Sequence, residues 1–373
     1  MTKIAMLGAG FIGQMHALSF MSARMTRDLP VNPELTTLIE TSANHALAEN
    51  VAKRYGWTRT VFDDWEGALA ERNHQLFVNA GPNFVHVNPS IVAAQAGAAI
   101  FSEKPLASTA DEAHRLWKAV EQADVKHMCA FVHRFIPALR LARDMVKAGE
   151  LGEIWAYRSQ MLLDMREPDG RLTWRFIRNQ AGGGATGDLG SHHIDVARFI
   201  VGEVVEVSGR TMTRLKNPSG DDAAVNDDSF SAIAVLDQGA TATFEASRVL
   251  AGHALTGRIE IDGTKGTLAF SMERMNELVF TEPNKGPRTI MVTANTHPYG
   301  QFSLPVGIQG AHPIGWHDAF TFQAYHMLSA IEHGTSLDPD AATFRDGYRV
   351  AETVDAILRS AASRQVENVR FRN

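Results

Sequence analysis

Short apolar runs alternate with helical patterns over the first third of the chain. Ile4–Leu7 is apolar throughout, and a glycine turn and a helical stretch, Ile12–Ser22, follow it. The same rhythm repeats: strand Leu35–Ile39, helix Ala43–Tyr55, a weak strand Thr58–Phe62, helix Asp64–Ala70, strand Gln75–Asn79, helix Pro89–Ala96, strand Ala99–Ser102, helix Thr109–Ala123 and strand Lys126–Phe131. Strands that are apolar at every position belong to a parallel sheet covered on both faces. The rhythm changes near residue 132. Pro137–Gly149 reads as a helix, Ile154–Leu163 as a partly alternating strand, and a glycine run at 182–184 leads into helix Asp188–Ile200. Strand patterns then follow one another: Val204–Leu215, Ser229–Leu236, Ala240–Val249, Thr256–Asp262, Gly266–Phe270, Glu277–Phe280 and Thr289–Val292. Alternation in Ala240-Thr-Ala-Thr-Phe-Glu-Ala246 marks a sheet with one face not buried in the core. Helices Trp316–His333 and Ala341–Arg364 close the chain. The polar stretch 216–227 and the Pro- and Gly-rich stretch 282–315 read as loops. The fold class expected is α/β plus α+β: a Rossmann domain over 1–131, then a domain over 132–373 built on a large, mostly antiparallel open sheet.

Composition narrows this little. The chain has 373 residues, a hydrophobic fraction of 45% and a charged fraction of 21%, ordinary for a globular protein of about two domains. A formal net charge of -6 with no long Lys/Arg run argues against nucleic acid as a partner. The single cysteine, Cys129, lies in a strand pattern and reads as a buried thiol. It rules out an intramolecular disulfide and any Cys-based metal motif. No signal peptide or apolar stretch long enough for a membrane span is visible, so the location expected is the cytoplasm.

Gly8-Ala-Gly-Phe-Ile-Gly13 ends a strand and opens a helix. Gly8 would make the tight turn, Gly10 would let the backbone approach a pyrophosphate, and Gly13 would let helix and strand pack closely. Phe11 and Ile12 lie at the helix N-terminus, whose N–H groups favour an anion. Glu40 ends the second strand, where a carboxylate accepts hydrogen bonds from adenosine ribose hydroxyls and repels a 2′-phosphate. It lies 27 residues after Gly13, further than usual, which an insertion at Met25–Pro33 accounts for. Residues 41–44 contain no Arg or Lys for a 2′-phosphate. The cofactor expected is therefore NAD rather than NADP.

Three further segments, Val78-Asn-Ala-Gly-Pro-Asn-Phe-Val-His86, Ser102-Glu-Lys-Pro-Leu106 and Gly182-Gly-Gly-Ala-Thr-Gly-Asp-Leu-Gly-Ser-His-His-Ile-Asp195, complete a pattern. With the glycine motif they resemble the glucose–fructose oxidoreductase/inositol dehydrogenase (Gfo/Idh/MocA) family along nearly the whole chain. Leu172-Thr-Trp-Arg-Phe176 and His297-Pro-Tyr-Gly300 bring it nearest to levoglucosan or inositol dehydrogenase-like members. The resemblance implies an active-site Lys104, with Asp188 and His192 as the other catalytic residues. It implies that Gly81, Pro82, Asn83 and His86 line the nicotinamide side, that Glu103 contacts the cofactor, and that the chain forms a homodimer or homotetramer through its C-terminal sheet. Asn79-Ala-Gly81 departs from the family, whose members more often place a β-branched residue or Thr before the Pro-Asn pair.

The chemistry of these residue types agrees. Asp188 and His192 are four apart in a helical pattern and so share a face. A histidine can take a proton near neutral pH, which makes His192 the candidate base for a reacting hydroxyl. Asp188 would bond another substrate hydroxyl and raise the proton affinity of His192. Lys104 would donate to the reacting oxygen, held on an extended segment by the proline after it. His193 points about 100° away from His192 and reads as structural. Asp195 either orients His192 or caps a neighbouring strand. His192, His193 and Asp195 lack the spacing of metal ligands, so no metal is expected. Substrate hydroxyls need polar partners in a cleft. The candidates are Arg134, Tyr157, Asp164, Trp174 and Arg175, with His133 and His317 behind them; Arg134 reads equally as an ion-pair arginine and Trp174 as a core aromatic. The leading reading is NAD-dependent oxidation of a secondary hydroxyl of a sugar, anhydrosugar or cyclitol. An NAD-dependent glycosidase acting by transient oxidation is an alternative. So is a non-catalytic NAD-binding regulator, although such a protein has no need of Lys104, Asp188 and His192 together.

Overall fold

The computed structural model describes residues 1–25, 29–167, 170–216, 225–292 and 313–373. The His297–Gly300 segment, the middle of the Met25–Pro33 insertion, most of the polar loop at 216–227 and most of the stretch at 282–315 lie outside the described residues. In chain order the strands are β1 (Thr2–Leu7), β2 (Pro33–Glu40), β3 (Arg59–Phe62), β4 (Leu76–Asn79), β5 (Ala99–Ser102), β6 (His127–Cys129), β7 (Ile154–Leu162), β8 (Val204–Met212), β9 (Ser229–Leu236), β10 (Thr241–Ser247), β11 (Thr256–Gly263), β12 (Gly266–Ser271), β13 (Glu277–Thr281), β14 (Arg288–Met291) and β15 (Glu367–Asn368). The helices are α1 (Phe11–Ala23), α2 (His45–Tyr55), α3 (Trp65–Ala70), α4 (Val87–Gln95), α5 (Ala110–Gln122), α6 (Pro137–Lys147), α7 (Arg178–Ala181), α8 (Ser191–Ile200), α9 (Trp316–His333) and α10 (Phe344–Ser363). They form two compact units: Met1–Ala107, Asp111–Phe135 and Gln301–Tyr348 in the first, and Ser108–Ala110, Ile136–Gly300 and Arg349–Asn373 in the second.

The first unit holds a six-stranded sheet in the order β3-β2-β1-β4-β5-β6, with every pair parallel. This is the Rossmann order, whose switch point lies between β1 and β4. The central strands are apolar because both their faces are covered: Ile4, Ala5 and Met6 of β1 and Leu76, Phe77 and Val78 of β4 are all inaccessible to solvent. Turn chemistry ends the helices as the residue types require. Gly56 closes α2 in the left-handed region, and Asp64 caps α3 by accepting the Gly67 N–H at 2.9 Å. Helix α9, late in the sequence, returns to this unit. Its Glu332 accepts from the Thr2 hydroxyl at 2.7 Å, and Phe320 packs edge-on against His16 of α1.

The second unit is built on a nine-stranded sheet in the order β14-β13-β12-β11-β7-β10-β9-β8-β15, antiparallel except between β7 and β10. Alternation sorts its faces. Phe230, Ala232, Ala234 and Leu236 of β9 are buried, whereas Ser231 and Ile233 point outward. Helices α6 and α8 pack on the inner face. The outer face carries Arg158, Gln160, Ile233, Thr243, Glu245 and Glu260, laced by an Arg158–Glu260 ion pair at 2.7 Å and a Gln160–Glu245 hydrogen bond at 2.8 Å.

Candidate active site

In the first unit β1 runs into the glycine turn. Gly8 has φ +104°, and a Cβ there would sit 2.6 Å from the Ala80 carbonyl oxygen at the end of β4. A Cβ on Gly13 would run into the Gly8 carbonyl, so strand and helix approach at glycine distance. Gly10 is the N-cap of α1 and makes no side-chain cap, and a Cβ there would meet nothing within 4 Å. No acidic residue occupies the first turn. The helix therefore offers its first N–H groups to open space, which fits the pyrophosphate of a dinucleotide. Ile12 is half-buried; Phe11 is exposed, its ring stacked 6.2 Å from that of Trp316.

Glu40 closes β2 beside this turn. Its Oε2 accepts the Ala9 N–H at 2.8 Å, and its Oε1 accepts the Thr41 N–H at 2.9 Å and the Asn44 amide at 3.3 Å. Oε1 also accepts the Thr41 hydroxyl at 3.4 Å, whereas Oε2 takes the Ala9 N–H alone and keeps a second acceptor position for a ribose hydroxyl. A second carboxylate stands next to it, one that the sequence pattern did not single out. The Asp63 N–H donates to the Glu40 carbonyl at 3.1 Å, and the Asp63 carboxylate accepts the Ser42 N–H at 3.0 Å. The Ser42 hydrogen bonds hold its pKa below the usual carboxylate range. Two anions at one strand end disfavour a 2′-phosphate more than Glu40 alone.

At the end of β4, the Asn79 amide donates to the carbonyls of Val85 (3.0 Å) and His86 (3.1 Å), and its Oδ1 accepts the Gly81 N–H at 3.3 Å. The departure from the family at this position thus tightens the turn that carries Pro82 and Asn83. A Cβ on Gly81 would press on Val85 and Leu7. Asn83 is buried, Pro82 half-buried. His86 has no exposure, and its ring lies between the carbonyls of Gly81 and Pro105, each 2.9 Å from a ring nitrogen. Burial pulls its pKa down against the pull of those two carbonyls. His86 thereby clasps the Gly81–Asn83 turn to the Glu103–Pro105 segment. Lys104 is half-buried, its N–H bonded to Glu103 Oε2 at 3.1 Å, and its bond to Pro105 is cis. Glu103 is buried with Oε1 2.8 Å from His16 Nε2. Burial works to raise its pKa; the His16 hydrogen bond and charge, with the charge of Lys104, outweigh it and hold the carboxyl below its ordinary range.

In the second unit the glycine run ends in a five-residue π turn, Thr186–Gly190, that feeds α8. Such turns recur at functional sites. Asp188 lies in the turn, half-buried, and His192 in the first turn of α8, 8% exposed. The segment is gripped from a distant loop. Asp227 Oδ1 accepts the Gly184 N–H at 2.6 Å, and Oδ2 accepts both the N–H and the hydroxyl of Thr186 at 2.8 Å. The Asn226 amide donates to the carbonyls of Arg175 and Gly182, each at 3.1 Å. Arg248, with no exposure, donates to the carbonyls of Arg175 (2.8 Å) and Asp227 (3.1 Å) and to Asn226 Oδ1, and stacks 4.1 Å from the Phe176 ring centre. None of Asn226, Asp227 and Arg248 was singled out in the sequence, where 216–227 reads as a polar loop and Arg248 falls in the Ala240–Val249 strand pattern.

Within this unit the candidates divide. Trp174 and Arg175 are half-buried on one 3₁₀ turn, the guanidinium 4.5 Å over the indole, and the Arg175 carbonyl joins that turn to the Asn226–Arg248 cluster. Tyr157 has to be corrected. It points into the core from β7 with no exposure, and its hydroxyl donates to the His193 carbonyl at 3.2 Å, so it cannot meet a substrate. Asp164 is engaged by Arg166 at 2.6 and 2.8 Å, and that bond lowers its pKa to about 2. His193 is buried, and burial drives its pKa down to about 4. Asp195 is fully buried with Arg198 Nη1 at 3.8 Å. In the first unit Arg134 is an ion-pair arginine, buried with Asp346 at 3.3 Å and the Ala341 carbonyl at 3.3 Å. Among the described residues no group of three or more His, Cys, Asp or Glu is placed to hold a metal ion, and no helix is long and apolar enough to cross a membrane.

Comparison with known proteins agrees with this geometry. Residues 2–131 match the profile described as an oxidoreductase family with an NAD-binding Rossmann fold, and residues 139–269 match the GFO/IDH/MocA C-terminal domain. A levoglucosan dehydrogenase of Pseudarthrobacter phenanthrenivorans is 33% identical over 96% of both chains. An inositol 2-dehydrogenase of Rhizobium meliloti is 26% identical over 97% of this chain and 98% of its own. A levoglucosan dehydrogenase solved with NADH and levoglucosan superposes with a TM-score of 0.90, at 32% identity and 99% coverage of each chain. A glycine cradle shaped for a dinucleotide, a strand-end carboxylate beside it and full-length likeness to dehydrogenases lead to one assignment: the chain belongs to the Gfo/Idh/MocA family of NAD-binding oxidoreductases.

Proposed function

We propose that the chain oxidises a secondary hydroxyl of a sugar, anhydrosugar or cyclitol with NAD, and that levoglucosan and the inositols are the first substrates to test. The observation that carries this reading is the 33% identity to a levoglucosan dehydrogenase along 96% of both chains. When bound, NAD supplies the nicotinamide carbon that accepts the hydride. The chain contributes the rest. Gly8, Gly10, Phe11, Ile12 and Gly13 receive the pyrophosphate at the α1 N-terminus, and Glu40 receives the adenosine ribose. Gly81, Pro82 and Asn83 form the turn for the nicotinamide side, with His86 and Glu103 holding that turn and Lys104 from beneath.

In this reading Lys104 donates to the reacting oxygen and stabilises the charge that develops on it. His192 removes the hydroxyl proton, and Asp188 bonds a neighbouring hydroxyl while keeping His192 basic. Trp174 and Arg175 supply an apolar face and donors for the sugar ring. The 132–373 segment thus carries substrate recognition, and 1–131 the dinucleotide. We also propose a homodimer or homotetramer through the outer face of the nine-stranded sheet, where Ile233 stands 63% exposed among the charged ladder, and a cytoplasmic location.

The test is a panel of inositols, aldoses, anhydrosugars and glycosides with NAD and with NADP, following nicotinamide absorbance at substrate excess. Net NADH formation with at least one free polyol or anhydrosugar supports the dehydrogenase. Glycoside cleavage with no net NADH would replace it with transient-oxidation chemistry, and binding of NAD without turnover of any member would replace it with a regulator.

A further inference from the structure

We infer that Asp227 and Arg248 are positioning residues that hold Asp188 and His192 in working geometry from behind the glycine run. This inference rests on the assignment of Asp188 and His192 made above.

A helix start leaves its first N–H groups without intrahelical partners, and a side-chain acceptor at the N-cap ordinarily takes one of them. Here the segment before Asp188 is Gly183-Gly-Ala-Thr-Gly187, which holds no capping carboxylate. Asp227, some forty residues on, takes that role. Both its oxygens are committed: one to Gly184, the other to the N–H and hydroxyl of Thr186. The Gly184 carbonyl in turn accepts the Asp188 N–H at 2.8 Å, so the carboxylate of Asp227 is one residue removed from the backbone that sets Asp188. The Ala185 N–H donates to the Asp227 carbonyl at 2.8 Å, which makes the contact a backbone pairing as well. Gly184 is glycine for this reason: a Cβ would collide with the Asp227 carbonyl and press 2.7 Å from Arg248 Nη2.

Arg248 completes the brace. A guanidinium buried without exposure costs several kcal/mol unless carboxylates compensate it, and it does not deprotonate. Burial pulls its pKa down; Asp188, Asp227 and Asp228 oppose that, Asp188 first among them, and the like charge of Arg175 adds to it. Asp227 has both oxygens engaged at Gly184 and Thr186, while Asp228 uses Oδ2 for the Leu215 N–H at 2.9 Å. The buried cation is thus offset by three carboxylates, Asp188 among them. Its two carbonyl bonds, to Arg175 and Asp227, join the Trp174–Phe176 turn to the same framework. One buried cluster thus fixes the proposed acid–base pair and two proposed sugar contacts together.

The test uses the full-length protein with NAD. Arg248→Met removes the charge at similar volume, Arg248→Lys keeps the charge and loses the fork, and Asp227→Asn keeps the shape and loses the double acceptor. Three readouts are taken: the Asp188 carboxyl titration by carbon NMR, assigned with Asp188→Asn; kcat and KM for the best polyol; and NADH affinity by fluorescence. Loss of the cation in Arg248→Met is expected to move the Asp188 titration up, and Arg248→Lys to return it. Asp227→Asn and Arg248→Met are each expected to lower kcat by about 10²-fold while NADH affinity is kept. An unmoved Asp188 titration in Arg248→Met, or a kcat within about threefold of wild type in both variants, overturns the inference. Parallel losses of kcat, NADH affinity and melting temperature also overturn it, since a general fold support would act that way. If Arg248→Met does not fold, the decision passes to Asp227→Asn and Arg248→Lys, and wild-type kcat in both overturns it. A wild type that oxidises no polyol, yet shows the Asp188 shift, would sink the proposed activity and leave the brace standing.

Discussion

Replacing Glu40 by Gln removes one charge and almost no volume, which makes it the sharpest probe of the dinucleotide site. In the wild type the carboxylate is fixed at both oxygens, by Ala9 at 2.8 Å and Thr41 at 2.9 Å. It is therefore preorganised for a ribose and pays little entropy to receive one. A hydrogen bond to a charged acceptor contributes about 1.5–3 kcal/mol, so losing one ribose bond weakens NADH by about 10- to 150-fold. NADPH behaves differently. It loses an acceptor but also a like charge facing its 2′-phosphate, so its affinity is expected to hold or improve. Asp63 remains beside the site with its carboxyl held ionised by Ser42. The single variant should therefore lose its preference without reversing it, and Glu40→Gln with Asp63→Asn should move the ratio further toward NADPH. Fluorescence titration of both dinucleotides against the three proteins gives the three ratios needed. An NADH/NADPH affinity ratio unchanged in Glu40→Gln would refute the placement of the ribose.

Other outcomes follow from the same geometry. Lys104→Ala and His192→Ala should each lower kcat by about 10²- to 10⁴-fold while NADH still binds, measured by steady-state rates and titration; near wild-type turnover in both would remove their roles. Gly13→Ala drives a methyl into the Gly8 carbonyl, so it should cost about 1–3 kcal/mol of stability and abolish NADH binding, seen by melting and titration together. His193 titrates near 4 when folded and near 6.5 when unfolded, so the unfolded chain takes up its proton first as the pH falls. Stability from this residue is complete above about pH 6.5 and is lost on the way down to about pH 4, on the order of 3 kcal/mol. Urea midpoints for wild type and His193→Gln across that window should converge toward low pH, and parallel curves would contradict the burial argument.

The Rossmann half was legible because its signals are local. The run of apolar strands, the spacing of Gly8, Gly10 and Gly13 and the strand-end position of Glu40 each depend on a few adjacent residues. Helix α9 matched its sequence pattern from Trp316 to His333, but its return to the first unit could not be read, since no local pattern says which core an amphipathic helix joins. Tyr157 was misread for a related reason: a tyrosine in an alternating strand looks the same whether its hydroxyl meets a ligand or the His193 carbonyl. Asn226, Asp227 and Arg248 were invisible for a stronger one. Their partners Arg175, Gly182, Gly184 and Thr186 lie tens of residues away, and a cluster of Asn and Asp beside a loop carries the composition of solvent-exposed chain. Burial turns those same residues into a framework. The π turn before α8 was likewise read as plain helix, because a one-residue widening leaves the apolar period nearly intact.

The most direct measurement follows one deuterium. Wild-type protein is incubated with NAD and a polyol from the active panel, deuterated at its carbinol carbons, and the nicotinamide product is weighed by mass spectrometry. The expected product is reduced NAD carrying one deuterium, with an equal amount of ketone. Reduced NAD without the label, or no reduction with any neutral polyol, would contradict it.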